Sequence, residues 1–386
     1  MIGQPSKSIW RTWLRNGGLF SNPGDSHISE HGAQVFYEAL LSMRNDYESG
    51  AGYVATTALR HLHNVLAEVT TEVTTEVTTE VTKELLWRRT RMIEWHLIYN
   101  GRPLMNAAIS KSLLSCLWRL WLIQDNRIKP LEVIKACIQE RKTFSSRIGE
   151  SFVSYLRRNF SQRLESSDVV HLKILTLSSS IIKSAVLTAL KQCNISFDIR
   201  ILESRPLCEG TSLASVIVKQ AGESESDRLK ITIATDASVA LMAKDVDLVL
   251  LGADRINESG DVSNKTGSFP AVLCAQALGH ISPVTPKVVV LSGIEKVAKP
   301  GPMNEYEEED NGPLQIWRIW ELAGCRKEAR FLTTDRRVEF KNVAFEWIPA
   351  ECVDVYLKED GEMTRKQIKE QSLFMEKLDT DVFGDL

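Results

Sequence analysis

The chain has no apolar run approaching the ~20 residues that a helix needs to cross a bilayer, so no membrane partner is expected. It also lacks ligand spacing of a metal-binding kind. Its seven cysteines, at positions 116, 137, 193, 208, 274, 325 and 352, are scattered and form no CxxC pair. They read as reduced, mostly buried thiols, and neither a metal nor another cofactor is expected. The closest histidine pair, His61 and His63, would point to different faces of a helix and has no partner ligands nearby in sequence. A large excess of one charge sign is missing as well. A formal net charge of -3 gives no electrostatic reason to expect nucleic acid as the main partner. The first residues carry no apolar signal segment, because Trp10-Arg11-Thr12-Trp13-Leu14-Arg15 is interrupted by charge. A cytoplasmic or nuclear location is the resulting expectation.

What is present is ordinary globular composition, 43% hydrophobic and 25% charged over 386 residues, with length for two or three domains. Residues 1–165 read as an N-terminal all-helical domain. Glu30 to Met43 is amphipathic, with Val35, Leu40 and Leu41 among its apolar positions. Residues 107–123 form a strongly apolar helix, Pro130 opens another that runs to about Arg141, and 147–164 suggests a third. Within this domain Glu-Val-Thr-Thr recurs from Glu68 to Thr82. A four-residue step makes its valines a slanting stripe on a helix, and the unit is too short for a solenoid. It reads as a duplication that lengthened a tolerant helix, with a partner-binding helix as the alternative.

From 166 to 362 short β-rich runs alternate with helical segments. The strands are expected at 172–177, 197–202, 230–234, 246–251 and 287–291. The helices are expected near 180–193, 211–221, 236–244 and 267–279. Such alternation implies an α/β fold, a Rossmann-like doubly wound parallel sheet. Residues 295–328, with the acidic run Glu305-Tyr306-Glu307-Glu308-Glu309-Asp310, interrupt it and read as a solvated surface insertion. Strand signal resumes weakly at Arg330-Phe331-Leu332 and at 343–347. The tail 363–386 reads as partly helical and then frayed.

In doubly wound sheets ligands bind beyond the carboxyl ends of the strands, and polar clusters stand at three of those ends. Ser178-Ser179-Ser180 offers hydroxyls and free N–H groups, or simple helix capping. Glu203-Ser204-Arg205-Pro206-Leu207-Cys208-Glu209-Gly210 holds either an arginine fork for phosphate or sugar oxygens or a simple strand-end ion pair. Gly252-Ala253-Asp254-Arg255 offers a carboxylate for acid–base work. Ten residues beyond Asp254, Asn264-Lys265-Thr266-Gly267 starts a helix whose N-terminus, with Lys265, would make an anion site. The 252–267 stretch as a whole reads as a polar loop.

At these residues the sequence resembles the superfamily that joins methylthioribose-1-phosphate isomerase, ribose-1,5-bisphosphate isomerase and the alpha, beta and delta subunits of translation initiation factor 2B. The resemblance covers roughly residues 30–362 without the 295–328 insertion. It is strongest at Glu203–Pro206 with Glu209-Gly210, and at Gly252–Ile256 with Gly260–Gly267. Phe345-Glu346-Trp347-Ile348-Pro349 resembles the family's last strand and its turn. The resemblance implies a helical domain on a Rossmann-like domain, and assembly as a homodimer or as a hetero-oligomer with related subunits. It further implies a small phosphorylated sugar as ligand, held by Arg102, Arg205, Glu209, Asn264 and Lys265, with Asp254 catalytic.

Three departures stand out. Glu209 replaces the family's glutamine. Ser178 stands where the isomerases have their catalytic cysteine. Ser49-Gly50-Ala51 lacks the arginine of the family's phosphate loop. The expectation is thus an aldose–ketose isomerase of the methionine-salvage kind. The alternatives are a non-catalytic regulatory subunit related to initiation factor 2B, and a member that has lost ligand binding.

Overall fold

The computed structural model describes residues 30–46, 49–73, 87, 90–102, 105–122, 130–160, 169–177, 180–282, 284–301 and 310–384. Ser178, Pro103, residues 74–82 of the repeat and the acidic run at 305–309 lie outside them. The chain divides into two compact units, Met1–Lys142 with Ser372–Leu386, and Thr143–Gln371.

The first unit is helical. Its helices are α1 (Glu30–Arg44), α2 (Ala51–Val73), α3 (Asn106–Leu122) and α4 (Pro130–Arg141), with a π-helical turn at Leu97–Gly101. In α2 the buried residues Ala51, Val54, Ala55, Ala58, Leu59, Leu62, Val65 and Leu66 recur every three or four positions, which makes one apolar face. On α1 the buried face runs through Phe36, Ala39, Leu40 and Met43, and Leu41 is turned outward. The first residues of the repeat, 68–73, extend α2.

The second unit begins with α5 (Phe144–Asn159), which the sequence reading had grouped with the helical domain. Ile148, Phe152, Val153, Tyr155 and Leu156 explain the difference, because they pack into the core on one face of the sheet. The chain then runs through β1 (Val170–Thr176), α6 (Ser180–Gln192), β2 (Ile195–Leu202), α7 (Glu209–Gln220), β3 (Leu229–Ala234) and β4 (Leu248–Leu251). It continues through β5 (Arg255–Ile256), β6 (Val262–Lys265), α8 (Ser268–Gly279), β7 (Lys287–Leu291), α9 (Leu314–Leu322) and α10 (Arg326–Thr334). It ends with β8 (Phe345–Ile348), β9 (Val355–Lys358), β10 (Gly361–Met363) and α11 (Arg365–Phe383).

Seven strands form one sheet in the order β10-β9-β7-β4-β1-β2-β3, parallel except for the β9–β10 pair. Its central strands are apolar on both faces: Leu248 and Leu250 join the core under α5, α6 and α7, while Val249 and Leu251 join the core under α8. Double-sided burial of this kind is what a parallel sheet wrapped by helices requires. β5, β6 and β8 form a separate antiparallel sheet.

Four expectations need correction. The 252–267 stretch is a hairpin, β5–β6, rather than a loop. Arg330-Phe331-Leu332 lies on α10. The tail is a continuous helix to Phe383, and its last turns are held by Arg91, which donates to the Val382 carbonyl at 2.8 Å, and by Tyr99, which donates to Asp379. All seven cysteines are unpaired, but only Cys116, Cys137 and Cys193 are fully buried. Among the described residues no helix is long and apolar enough to cross a membrane.

Candidate sugar-phosphate site

The loop after β2 is the most constrained part of the site. Ser204 and Cys208 have φ of 58° and 54°, in the left-handed region that side chains rarely adopt. Asp236, just past the end of β3, holds the loop open in this form. Its carboxylate accepts from the Ser204 and Arg205 amides at 2.9 and 2.8 Å. Gly210 N–H donates to the Glu203 carbonyl at 3.1 Å. A side chain at Gly210 would put Cβ 2.0 Å from the Leu202 carbonyl and 3.0 Å from that of Leu177, so only glycine lets α7 start this close to the strand ends. Out of this frame Arg205 projects toward solvent, its Nε 2.7 Å from Glu203 Oε1.

The second element is the β5–β6 hairpin. Its turn is closed by Asn257, whose Oδ1 accepts from the Ser259 and Asp261 amides. Tyr356 donates to the Gly260 carbonyl at 2.6 Å. At the far end of β6, Asn264 is buried and donates to Ser268 Oγ at 2.9 Å, and Ser268 donates to the Lys265 carbonyl at 2.6 Å. Lys265 Nζ lies 3.2 Å from Glu209 Oε1 and 4.8 Å from the centre of the Phe345 ring. The lysine is thereby fixed between a carboxylate and an aromatic face.

The amides at the start of α8, expected as an anion site, already have an anion. Glu346 Oε1 accepts from Gly267 N at 2.6 Å and from Phe269 N at 2.9 Å. Burial raises the Glu346 pKa, and these amide hydrogen bonds oppose the rise. This helix end is therefore already occupied by a carboxylate of the chain itself.

Arg205, Glu209 and Lys265 line a small cleft open to solvent, together with Asn311, Gln315 and Asn342. Two cations face two carboxylates, Glu203 and Glu209, so the charged wall is balanced before any ligand arrives.

Of the other expected site residues in this unit, Asn264 and Asp254 are not part of this lining. Asn264 sits behind Lys265 as its support. Asp254 ends the turn after β4, half-buried, with its N–H donating to the Ser263 carbonyl at 2.9 Å. Arg102 is buried in the first unit, just after the π-helical turn. Ser178 is outside the described residues. Sequence reasoning missed Asp236, Asn311, Gln315 and Asn342. Asp236 had a signal, since it follows a strand in Ala234-Thr235-Asp236. The insertion was read as mere solvated surface, yet it supplies Asn311 and Gln315 to the cavity.

The profile of the initiation factor 2 subunit family matches residues 48–365. The chain belongs to this family. Two relatives are named methylthioribose-1-phosphate isomerase. The one from Heliobacterium modesticaldum is 32% identical over 161 residues, 41% of this chain and 41% of its own length. The one from Geobacillus thermodenitrificans is 27% identical over 173 residues, 44% of this chain and 43% of its own. The match thus spans well under half of these family relatives. Among solved structures of the family fold, the Pyrococcus horikoshii OT3 translation initiation factor eIF-2B superposes with a TM-score of 0.53 at 17% identity. It covers 87% of this chain and 98% of its own. The 5-methylthioribose 1-phosphate isomerase of the same organism gives 0.52 at 18% identity, covering 89% and 88%.

Proposed function

We propose that the chain binds a small sugar phosphate in the cavity between the 203–210 loop and the 310–344 segment. The observation that carries this reading is the convergence of Arg205 and Lys265, from the ends of two different strands, on one polar cavity. A guanidinium fork and an ammonium suit a phosphate, and the facing amides suit sugar hydroxyls. The relatives named methylthioribose-1-phosphate isomerase support the same ligand class. Methylthioribose-1-phosphate and ribose-1,5-bisphosphate are therefore the first ligands to try. In this reading Asn264 is a positioning residue that acts through Ser268 on the backbone of Lys265.

In these 1-phosphates, isomerisation to a ketose moves the C2 hydrogen to C1 as the bond from C1 to the ring oxygen breaks, and passes the C2 hydroxyl proton to that oxygen. Asp254 is the carboxylate that would carry that proton. A second reading is a regulatory subunit that binds the ligand without turnover and assembles with related subunits in the cytoplasm. Two facts favour it: Asp254 does not line the cavity, and the position of the isomerase cysteine is Ser178, a far weaker acid than a thiol with no base beside it in sequence.

Titration calorimetry of the purified chain with both sugar phosphates tests the shared part, with Lys265→Ala expected to lose binding about tenfold or more. No heat from the native chain overturns it. Ketose product by NMR, absent in Asp254→Asn, decides for the isomerase. Binding without product decides for the regulatory subunit, provided that affinity purification recovers related subunits and not the chain alone.

A further inference from the structure

The helical unit holds two thiols side by side. Cys116 on α3 and Cys137 on α4 are both free, 0% and 7% exposed, and the Cys116 thiol donates a hydrogen bond to the Cys137 sulfur. Arg119, three residues along α3 from Cys116, donates from Nη1 to Cys137 Sγ at 3.6 Å and to Glu140 Oε1 at 2.7 Å. The two sulfurs are therefore unequal. The hydrogen bond from Cys116, with the Arg119 guanidinium, holds the Cys137 thiol below the ordinary thiol range, against burial and the Glu140 carboxylate. Cys116 is pushed the other way, first by that same hydrogen bond and then by burial. One further titratable group acts on this pair. Glu94 is fully buried, and neither of its carboxyl oxygens has a hydrogen-bond partner among the described residues. Burial pushes its carboxyl well above the usual range, so it stays a neutral acid and puts no negative charge beside Cys137. The Arg119 and Glu140 side chains are 46% and 54% exposed, which places the Cys137 end of the pair close to solvent.

We propose that Cys137 and Cys116 form a two-cysteine site that a hydroperoxide oxidises to a disulfide, with Cys137 as the attacking sulfur and Cys116 as the resolving one. This does not depend on the sugar-phosphate reading. The Cys137 thiolate attacks an oxygen of the hydroperoxide and the O–O bond breaks. The departing alkoxide or hydroxide takes from solvent the proton that Cys137 gave up on ionising. Cys137 is left as a sulfenic acid. The Cys116 sulfur then attacks the Cys137 sulfur. An S–S bond forms, the S–OH bond breaks, and the leaving hydroxide takes the Cys116 proton and departs as water. Two thiols lose two electrons in all, and the hydroperoxide gains them. A small dithiol returns the pair to the reduced form by exchange. Arg119 is a positioning residue here, acting through the charge of Cys137. A pair of inert core thiols would have both members raised by burial, as Cys352 is, and no cation on either sulfur.

The test treats the full chain with hydrogen peroxide at neutral pH, blocks the remaining thiols with N-ethylmaleimide and maps unreduced peptides by mass spectrometry. The expected product is a linked Cys116–Cys137 peptide, lost on treatment with dithiothreitol and formed before the exposed Cys325 is oxidised. Cys116→Ser is expected to leave a sulfenic acid at Cys137 that dimedone traps. Cys137→Ser is expected to leave Cys116 unmodified. Arg119→Met is expected to slow the link roughly 3- to 10-fold at neutral pH and to move the half-maximal rate to higher pH, with Arg119→Lys close to the native profile. Far-UV circular dichroism and Tm identify any variant that has not folded, and Cys116→Ala and Cys137→Ala then replace the serine pair. No link in the native chain overturns the proposal. Dimedone trapping at Cys116 in place of Cys137, or oxidation of Cys325 ahead of the pair, overturns it as well. A native pH profile in Arg119→Met overturns the role given to the arginine.

Discussion

The 203–210 loop hangs from the carboxyl ends of three parallel strands, whereas the 310–344 segment across the cavity has only Ala329 and Asn342 fully buried. The loop is anchored by contacts with β1, β2 and the residue that caps β3. The segment is anchored by amide hydrogen bonds around one asparagine, and its two helices leave Leu314, Leu322 and Phe331 exposed. Local stability follows buried apolar contact. The cavity therefore has one stiff wall that carries charge and one compliant wall that carries neutral amides. Stiffness suits a wall that holds Arg205 and Lys265 against their own carboxylates.

A matched pair of glycine substitutions tests this contrast most sharply. Gly210→Ala drives Cβ to 2.0 Å from a backbone carbonyl in the sheet, which cannot yield without moving β2. A loss of ~3 kcal/mol or more is expected. Gly312→Ala has nothing within 4 Å and meets only the penalty of a side chain at φ of 69°, ~1–2 kcal/mol. Urea denaturation followed by circular dichroism measures both. Equal losses would mean that the two walls are equally rigid.

Asp236→Ala probes the stiff wall from its cap. The Ser204 and Arg205 amides lose their acceptor, and the left-handed turn at Ser204 loses what holds it. A destabilisation of ~1–2 kcal/mol is expected, because the Arg205 end is exposed. Affinity for ribose-1,5-bisphosphate should fall with it, since Arg205 is no longer aimed. Asp236→Asn keeps one acceptor oxygen and should fall between the two. If Asp236→Ala binds as the native chain does, Arg205 is not part of the ligand's grip.

The same contrast separates what could be read in the sequence from what could not. Parallel strands announced themselves as runs such as Leu248-Val249-Leu250-Leu251, because burial on both faces removes polar residues from every position. Arg205 and Glu209 became candidates because ligands gather at the carboxyl ends of such strands. The hairpin at Arg255–Ile256 and Val262–Lys265 was hidden by its polar composition and its two-residue pairing. Asn311 and Gln315 gave no local signal at all. Their place depends on Asn342, on the other side of two exposed helices, and amphipathic pattern carries no record of such a return. The helix end at Gly267 misled for a related reason: the glutamate that fills it, Glu346, comes from a distant strand.

The smallest effect expected is on Glu209, and it bears on how the stiff wall trades one anion for another. Glu209 Oε1 sits 3.2 Å from Lys265 Nζ, and both side chains are partly open to solvent, 26% and 15% exposed. A pair of this kind contributes little to folding, up to about 1 kcal/mol, so Glu209→Gln should leave denaturation nearly unchanged. Its effect belongs to binding. A phosphate approaching Lys265 meets the Glu209 carboxylate as a like charge and must displace it or share the lysine with it. Glutamine keeps the shape and a hydrogen-bond acceptor while removing that charge. Affinity for ribose-1,5-bisphosphate is expected to rise roughly 3- to 10-fold, with the gain shrinking as salt screens the repulsion. Titrations at low and high ionic strength measure this. Weaker binding in Glu209→Gln would instead make the carboxylate a direct contact to a ligand hydroxyl, and the charged wall would then read both ends of its ligand.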